Sequence, residues 1–332
     1  MPRVPPAPSC RRRFLCRGVA AASAVTAAAW TAPAAEPPAP VIDTHTHFYD
    51  PTRPGGVPWP PRDDAILYRT VLPAEWERLA QPAGVTGTVV VEASPLLEDN
   101  DWLLDLAERH AARRLPGMLG IVGVVGNLPL GDPACAAALD RCAARRLYRG
   151  IRVNGDALLA CLDDPASVAD LARLADRDLT LDVNGGRVLA AAAAAAARFP
   201  RLRIVVDHLG TPVMSARGPQ AAWRDAVARA ADHPRVFMKV SALAENAART
   251  LQPPRAPGDP SFYEPWLDAA WASFGDRRLM YGSNWPVADR AATYADVLGI
   301  VRPFVDRRGP EASRWFFAEA ARAAYSWVEP AA

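Results

Sequence analysis

The sequence of 332 residues lacks several features that other classes of protein need. Outside a weakly hydrophobic run near the N-terminus, no apolar segment approaches the length of a membrane span, which excludes a polytopic membrane protein. The net charge is only +2, and because residues 1–34 hold five arginines and no acid, it becomes −3 without them. Since no basic tract remains either, the composition argues against a nucleic acid as partner.

Cysteine is also scarce, and its spacing argues against a disulfide framework. Beyond residue 34 three cysteines remain, Cys135, Cys142 and Cys161, and an odd number cannot pair fully within one chain. Cys135 and Cys142 lie seven residues apart in a predicted helix. A rise of about 1.5 Å per residue places them about 10 Å apart, which is beyond the reach of a disulfide.

The N-terminus has the order of regions that is typical of an export signal. Residues 11–15 read Arg-Arg-Arg-Phe-Leu, a weakly apolar run covers 18–30, and Ala-Pro-Ala at 32–34 offers a small-x-small cleavage site. Basic, apolar and small-residue regions in this order predict a twin-arginine signal peptide at 1–34. The remaining chain, 35–332, is then expected in the periplasm or secreted, with no membrane contact once the signal is removed. A plain tail rich in alanine and proline is the alternative.

The rest of the chain alternates short β-branched runs with longer stretches rich in Ala, Leu and Arg, and no linker divides it. Eight strand–helix units in about 300 residues predict a single α/β domain, a closed (β/α)8 TIM barrel. A doubly wound open sheet is the alternative, but no glycine-rich phosphate fingerprint follows the first strand. The predicted strands are 41–46, 86–92, 117–124, 149–153, 179–183, 203–207, 235–240 and 279–283. The predicted helices are 73–81, 99–114, 133–146, 163–177, 187–198, 219–232, 262–275, 291–307 and 311–326.

One connection is unusually long and rich in turn-forming residues. Residues 48–72, which follow the first predicted strand, contain five prolines and two glycines, so a regular helix or strand is not expected there. Long loops in compact domains usually carry function. Trp59 and Tyr68 in this loop suit a ring-shaped or sugar-like ligand, so we predict a lid over the active site. A plain surface loop is the alternative.

Histidines gather at the carboxyl ends of predicted strands, the edge at which a barrel builds its active site. His45 and His47 share one face of strand one, and His208 follows strand six. Together they predict a metal site on His45, His47 and His208, because imidazole nitrogens bind zinc, copper, iron and nickel. Three structural histidines are the alternative. Asp207, adjacent to His208, is expected to point the opposite way.

Other strand ends contribute acids, amides and cations. Lys239 is the single lysine beside 37 arginines, which indicates a tight site that requires a compact ammonium. An incidental lysine at the surface is the alternative. A structural salt bridge between Arg152 and Asp182 on neighbouring strands is the alternative to a substrate-binding role for those two. The candidates for contact with a substrate or its reacting atoms are Glu92, Arg152, Asn154, Asp182, Lys239, Asn284 and Trp285.

Three segments resemble the amidohydrolase-related (amidohydrolase 2) family, and most closely its lactonase branch, which includes sugar lactonases and 2-pyrone-4,6-dicarboxylate lactonase. The segments are Val-Ile-Asp-Thr-His-Thr-His at 41–47, Asp-His-Leu-Gly at 207–210 and Tyr-Gly-Ser-Asn-Trp-Pro at 281–286. The resemblance implies a (β/α)8 barrel that hydrolyses lactones or related bonds. It also implies zinc or another divalent ion in some members and no metal in several lactonases, while some relatives decarboxylate aromatic acids.

Carried over by position, the resemblance implies that the predicted histidines match the family's strand-one pair and strand-six histidine. Lys239 falls on a Lys-x-Ser segment of strand seven, and Arg152 falls near a strand-four arginine. Asn284 departs from the family pattern, which has an aspartate there to bind metal or to take a proton from water. A neutral amide cannot act as a base.

These features predict an exported hydrolase that opens the lactone of a sugar acid or of an intermediate in aromatic degradation. Lys239, Arg152 or a bound ion, zinc being the first choice, would stabilise the oxyanion. A metal would activate the water, and without a metal Glu92 is the first choice as base. A metal-dependent decarboxylase on the same barrel and a catalytically silent exported binding protein stay open, and Asn284 is the best argument for the latter.

Overall fold

The structure, a computed structural model, describes residues 39–329 except 250 and 252. The predicted signal peptide, residues 1–34, lies outside the described residues. Within the described part, no helix combines the length and the hydropathy that are needed to cross a membrane.

Eight parallel strands, hydrogen-bonded in chain order, form the centre of the described domain. A helix or helical segment follows every strand, so the predicted (β/α)8 barrel is confirmed. The strands are β1 (Ile42–Thr46), β2 (Gly87–Val91), β3 (Gly120–Gly126), β4 (Tyr148–Asn154), β5 (Thr180–Asn184), β6 (Arg203–Val206), β7 (Val236–Val240) and β8 (Leu279–Tyr281).

The helices surround the strands and agree with the predicted positions within a few residues. Two short helices, Gly155–Cys161 and Leu243–Ala248, were not predicted. The last predicted helix is divided by a π-helical turn, Trp315–Glu319. The helices are α1 (Pro73–Ala80), α2 (Asp99–Ala111), α3 (Cys135–Ala143), α4 (Gly155–Cys161), α5 (Pro165–Asp176), α6 (Val188–Arg198), α7 (Ala221–Ala231), α8 (Leu243–Ala248), α9 (Glu264–Phe274), α10 (Tyr294–Asp306), α11 (Pro310–Arg314) and α12 (Ala320–Tyr325). The described cysteines are free, and two of them lie on α3 as predicted.

The apolar side chains divide into two buried clusters, one on each face of the sheet. The larger cluster lies between the strands and the surrounding helices. The smaller one fills the inside of the barrel with strand residues such as Ile42, Val122 and Met280, and α12 supplies Tyr325 to the same cluster. The C-terminal helix therefore packs across one end of the barrel, which leaves the carboxyl ends of the strands for a site.

β1 and β8 close the barrel through a short, irregular seam rather than a regular ladder. The backbone N–H of His47 donates to the carbonyl of Trp285 at 2.9 Å, and that of Asn284 donates to the carbonyl of His45 at 2.8 Å. Gly282 allows this close approach, because a Cβ there would meet the Cβ of His45 at 2.9 Å. The seam therefore fixes the motif residues of the two terminal strands against each other.

The loop of residues 48–72 contains no helix and no regular strand, as predicted. Its ends are tied together by two backbone hydrogen bonds between Tyr49 and Val71, at 3.0 and 2.9 Å. The Tyr49 hydroxyl donates to the carbonyl of Leu67 at 2.7 Å inside the loop. The loop is therefore a closed, internally bonded unit that stands beside the end of β1.

Candidate active site

The three histidines that the sequence singled out lie together at the carboxyl ends of β1 and β6. The ring centroid of His45 is 4.9 Å from that of His47 and 4.4 Å from that of His208. His45 and His47 are buried. Burial lowers the pKa of His47 to about 3 and that of His208 to about 4, so both rings are neutral near pH 7.

Asp207 points into the same site, and the expectation that it would face the opposite way from His208 was wrong. β6 ends at Val206, so the two-residue alternation of a strand no longer applies at Asp207. His208 then takes φ +58°, a left-handed conformation that turns the chain at once. As a result an oxygen of Asp207 lies 3.5 Å from Nδ1 of His45.

Lys239 forms the centre of a fully buried charge cluster beneath the histidines. Its Nζ lies 2.7 Å from Asp182, 3.1 Å from Asp207 and 3.3 Å from Nδ1 of His45. Burial would raise the pKa of Asp207, but the Lys239 ammonium and the His45 ring hold it well below its usual range. Asp182, which also accepts a 2.7 Å hydrogen bond from Tyr325, therefore pairs with Lys239 and not with Arg152.

A metal ion would find a set of ligands here that differs by one residue from the predicted set. One ligand atom each of His45, Asp207 and His208 lies within 4.8 Å of the others, whereas Nδ1 of His47 is hydrogen-bonded to the carbonyl of Val91 at 3.0 Å. Nε2 of His45 is buried and has no hydrogen-bond partner, which is unusual for a buried nitrogen. Two imidazoles and a carboxylate suit zinc, so the residues present fit such an ion.

Arg152 reaches across from β4 and is held by Glu92. Its Nε donates to the Glu92 carboxylate and its Nη2 to the Glu92 carbonyl, both at 2.8 Å. The remaining Nη1 lies 3.9 Å from Asp207. The predicted base candidate Glu92 therefore lies in an ion pair, and its main effect in the structure is to fix the guanidinium.

Two adjoining cavities meet at Arg152. The central cavity, of about 370 Å³, is lined by Arg152 together with His47, Trp59, His208, Asn284 and Val287. The side cavity, of about 520 Å³, is lined by Glu92, Asn127, Asn154 and Asn184 among others. Both volumes suit a small polar ligand. The central cavity places neutral imidazoles, a guanidinium and an amide around one space.

The remaining predicted residues divide between these cavities and the protein interior. Asn154 lines the side cavity, and its side chain also caps α4 by accepting from the N–H of Asp156 at 2.9 Å. Trp59 lines the central cavity, 5.9 Å from the ring of His47. The structure brings neither Tyr68 nor Trp285 to the walls of the central or the side cavity, and Trp285 is wholly buried.

Asn284 contacts a carboxylate, that of Glu245, which the sequence did not predict. Its Nδ2 donates to an oxygen of Glu245 at 2.6 Å. Asn284 takes φ +61°, a left-handed conformation that asparagine tolerates better than most residues. Burial raises the pKa of Glu245 to about 7. Glu245 was missed because it lies on α8, whose six residues are too few to give a periodic signal.

The chain matches the family model described as "Amidohydrolase" (Amidohydro_2) over residues 42–327. Two curated relatives are named L-fucono-1,5-lactonase. The one from Burkholderia ambifaria is 34% identical over 258 residues, which cover 77% of this chain and 83% of that protein. The one from Burkholderia multivorans is 31% identical over 302 residues, which cover 87% of this chain and 97% of that protein.

Among solved structures, an amidohydrolase from Burkholderia multivorans with bound zinc has a TM-score of 0.73 and 29% sequence identity to this chain. The match covers 87% of this chain and 100% of that chain. The similarity therefore extends over most of this chain and over the whole of that structure.

Proposed function

Since this chain belongs to the amidohydrolase family and is a hydrolytic enzyme, we propose that it opens a lactone of a sugar acid by attack of water on the ring carbonyl. The family resemblance of the three motifs is thereby confirmed. The observation that carries the proposal is the similarity to two L-fucono-1,5-lactonases, which covers 77% and 87% of this chain. A six-membered sugar lactone is the substrate class we favour.

The residues around the central cavity support hydrolysis of a neutral cyclic ester. Arg152, with Nη1 free of the Glu92 contacts, faces the space in which a carbonyl oxygen would develop negative charge. A fixed guanidinium stabilises such an oxyanion without reorganisation. Lys239 does not line the central or the side cavity. Its role is to hold Asp207 and His45 in place through its contacts with both side chains.

The polar walls suit the hydroxyl groups of a sugar. Asn127, Asn154 and Asn184 line the side cavity with amides that both donate and accept hydrogen bonds. Trp59 offers a flat apolar face at the central cavity, against which a sugar ring can stack. The predicted contacts of Arg152 and Asn154 with substrate therefore remain part of the proposal.

We also propose zinc as the ion at the site, held by His45, Asp207 and His208. When bound, a divalent ion supplies a water of lowered pKa and polarises a carbonyl oxygen. Activity that persists in full after complete metal removal, verified by elemental analysis, would show that the reaction proceeds without it. That result would leave the lactonase proposal intact.

The test is a panel of sugar 1,5-lactones, sugar 1,4-lactones and a pyrone dicarboxylate, assayed by the proton released on ring opening. We expect turnover of at least one sugar 1,5-lactone, with kcat/KM at least tenfold higher than for the pyrone. Release of carbon dioxide from an aromatic acid would replace the proposal with a decarboxylase. Tight binding of a lactone without turnover would replace it with a binding protein.

We propose further that residues 1–34 direct export through the twin-arginine pathway, on the basis of the arginine pair and the cleavage site alone. The full chain is expressed in a bacterium, and the N-terminus of the periplasmic protein is read by mass spectrometry. We expect a chain that starts near residue 35. Replacing Arg11, Arg12 and Arg13 by lysine should keep the protein in the cytoplasm.

A further inference from the structure

The side cavity carries hydrogen-bonding groups that the protein itself does not use. Asn184, at the end of β5, lines this cavity and is half-buried. Its side-chain amide forms no hydrogen bond with any of the residues that the structure describes. Asn184 pairs with Asn154 in the register of β4 and β5, so the two residues lie side by side at the carboxyl ends of these strands. The amide of Asn184 therefore offers a donor and an acceptor to a ligand.

Two further amides on the same wall each keep one free polar atom. Asn154 accepts the N–H of Asp156 through Oδ1, which leaves its Nδ2 as a donor. Asn127 donates through Nδ2 to the carbonyls of Ser94 and Leu96 at 2.9 and 3.1 Å, which leaves its Oδ1 as an acceptor. These bonds fix the orientation of both amides, so the free donor and the free acceptor are in place before a ligand arrives.

The residue after Asn184 keeps room for these amides. A Cβ on Gly185 would overlap Nδ2 of Asn154. Gly185 also takes φ +71°, a left-handed conformation that glycine adopts without steric cost. Glycine at this position therefore lets the chain turn directly after Asn184 and leaves space for the neighbouring amide.

The charges on the wall of the side cavity cancel. Glu92 and Arg152 both line the cavity and pair with each other at 2.8 Å. No further charged side chain occurs among the described residues of this lining. An anionic ligand would face the Glu92 carboxylate and the free oxygen of Asn127, and both would repel it. The side cavity therefore favours a neutral ligand.

Much of the remaining wall is apolar, and it is formed by Pro95, Leu97, Leu128, Pro129 and Leu130. A hydroxylated carbon chain matches this mixture, because its C–H groups suit the apolar wall while each hydroxyl both donates and accepts a hydrogen bond. A purely apolar chain would leave the amides of the wall without partners once water is displaced, which is unfavourable.

Arg152 connects the side cavity to the reaction space, because it lines both the side and the central cavity. Two hydrogen bonds to Glu92, both at 2.8 Å, hold the guanidinium in place. In the proposed reaction the lactone carbonyl faces this guanidinium, so a substituent on the ring can extend into the side cavity. The side cavity, of about 520 Å³, is larger than the central one, of about 370 Å³, so there is room for such a substituent beside the ring.

We propose that the side cavity is a second subsite, which holds a neutral, hydroxylated substituent of the lactone ring, and that Asn184 determines this specificity. The substrate class then narrows to sugar lactones that carry at least one hydroxylated carbon outside the ring. The inference rests on the proposed lactonase function and adds the second part of the substrate to it.

The first test compares four 1,5-lactones of one ring configuration, taken from the configuration that the protein turns over. At the carbon next to the ring oxygen they bear hydrogen, methyl, hydroxymethyl or dihydroxyethyl. We expect kcat/KM to be about tenfold or more higher for the two hydroxylated substituents than for methyl, because a site with unpaired donors and acceptors rejects an analogue that lacks the hydroxyl. Values for methyl and for both hydroxylated substituents that agree within about threefold overturn the proposal.

The second test repeats the series with Asn184→Leu, which removes the free amide at similar size. We expect the ratio of kcat/KM between the hydroxymethyl and the methyl lactone to fall about tenfold or more. A general loss of activity or stability would lower both values and would not move this ratio. Gln220→Leu, which removes an exposed amide just before α7, is the control and should keep the wild-type ratio. An unchanged ratio in Asn184→Leu overturns the role of Asn184.

A third test uses the wild-type chain and does not depend on catalysis or on the folding of a variant. Cys161 lines the side cavity and is half-buried, whereas Cys135 and Cys142 are buried. Iodoacetamide labels the full chain, and peptide mass mapping gives the rate at Cys161. Galactitol, a neutral polyol, should slow this rate as its concentration rises, and succinate, a dicarboxylate, should not. Equal rates with and without galactitol, or equal protection by succinate, overturn the subsite.

The outcomes separate the two proposals. Turnover of lactones without a preference for hydroxylated substituents rejects the subsite and leaves the lactonase function intact. A protein that turns over no lactone rejects the lactonase function, and the subsite then stands only if galactitol protects Cys161.

Discussion

At the scale of single residues, Lys239 shows how far composition can lead. One lysine beside 37 arginines indicated a special role for Lys239. The structure explains why a lysine is needed there, since the ammonium lies within 3.3 Å of Asp182, Asp207 and His45. Such a pocket admits a compact cation and not a planar guanidinium. The sequence did not predict the partners, because the direction of Asp207 depends on a turn that begins where β6 ends.

Lys239→Met should destabilise the protein by about 3–5 kcal/mol, because two buried carboxylates would lose their cation. Unfolding in urea measures the change, and Arg277→Met, which removes an exposed partner of Glu311, is the control. That pair is worth about 0–1 kcal/mol. A Lys239→Met protein as stable as the control would contradict the view that the ammonium neutralises the cluster.

The raised pKa of Glu245 predicts that its contribution to stability changes with pH in the opposite direction to that of most acids. Its pKa rises from 4.5 to about 7 on folding, so its stabilising contribution is complete below pH 4.5 and is lost as the pH rises through 7. Glu245→Gln cannot ionise, so its melting temperature relative to the wild type should increase between pH 5 and pH 8. Melting curves at several pH values measure this, and a constant difference would contradict it.

At the scale of elements, the two features nearest the cavities differ in how well the sequence predicted them. The loop of residues 48–72 was evident from its prolines and glycines, and its Trp59 lines the central cavity. The position of Tyr68 outside the cavities was not predictable, since a loop has no fixed side-chain period. α4 and α8 were missed, because helices of seven and six residues give too short a pattern.

Trp59→Ala should raise KM for the lactone about tenfold, because it removes an apolar wall of the central cavity, while kcat changes little. Tyr68→Ala, in the same loop but outside the cavities, is the matched control. Steady-state kinetics on both variants give the comparison. Equal effects of the two substitutions would indicate that the loop acts as a unit and that Trp59 has no special contact.

At the scale of the whole molecule, the barrel was predictable from eight repeated units, and every observed strand overlaps a predicted one. The seam between β1 and β8 was not predictable from the sequence, because only the folded chain brings its first and last strands together. Asp43 supports this seam: one oxygen accepts the N–H of Ser283 at 2.8 Å and the other the hydroxyl of Tyr294 at 3.0 Å. The site therefore depends on contacts between residues some 240 positions apart.

Asp43→Ala should cost about 2–4 kcal/mol of unfolding free energy, because it leaves buried backbone donors at the seam without an acceptor. Tyr294→Phe removes one hydrogen bond to the same carboxylate and should cost about 1 kcal/mol. Denaturant unfolding of both variants tests the order. A larger loss for Tyr294→Phe would show that packing of the ring, and not the carboxylate, secures the closure.

The burial of Lys239 has a practical consequence for handling this protein. The chain has no other lysine, and this one is 0% exposed, so the folded surface offers no side-chain amine. Dyes, cross-linkers and resins that acylate primary amines would therefore attach at the α-amino group, and every immobilised molecule would be held by the same end. Lys239 itself would be acylated only when the barrel unfolds, so the extent of its acylation would measure unfolding.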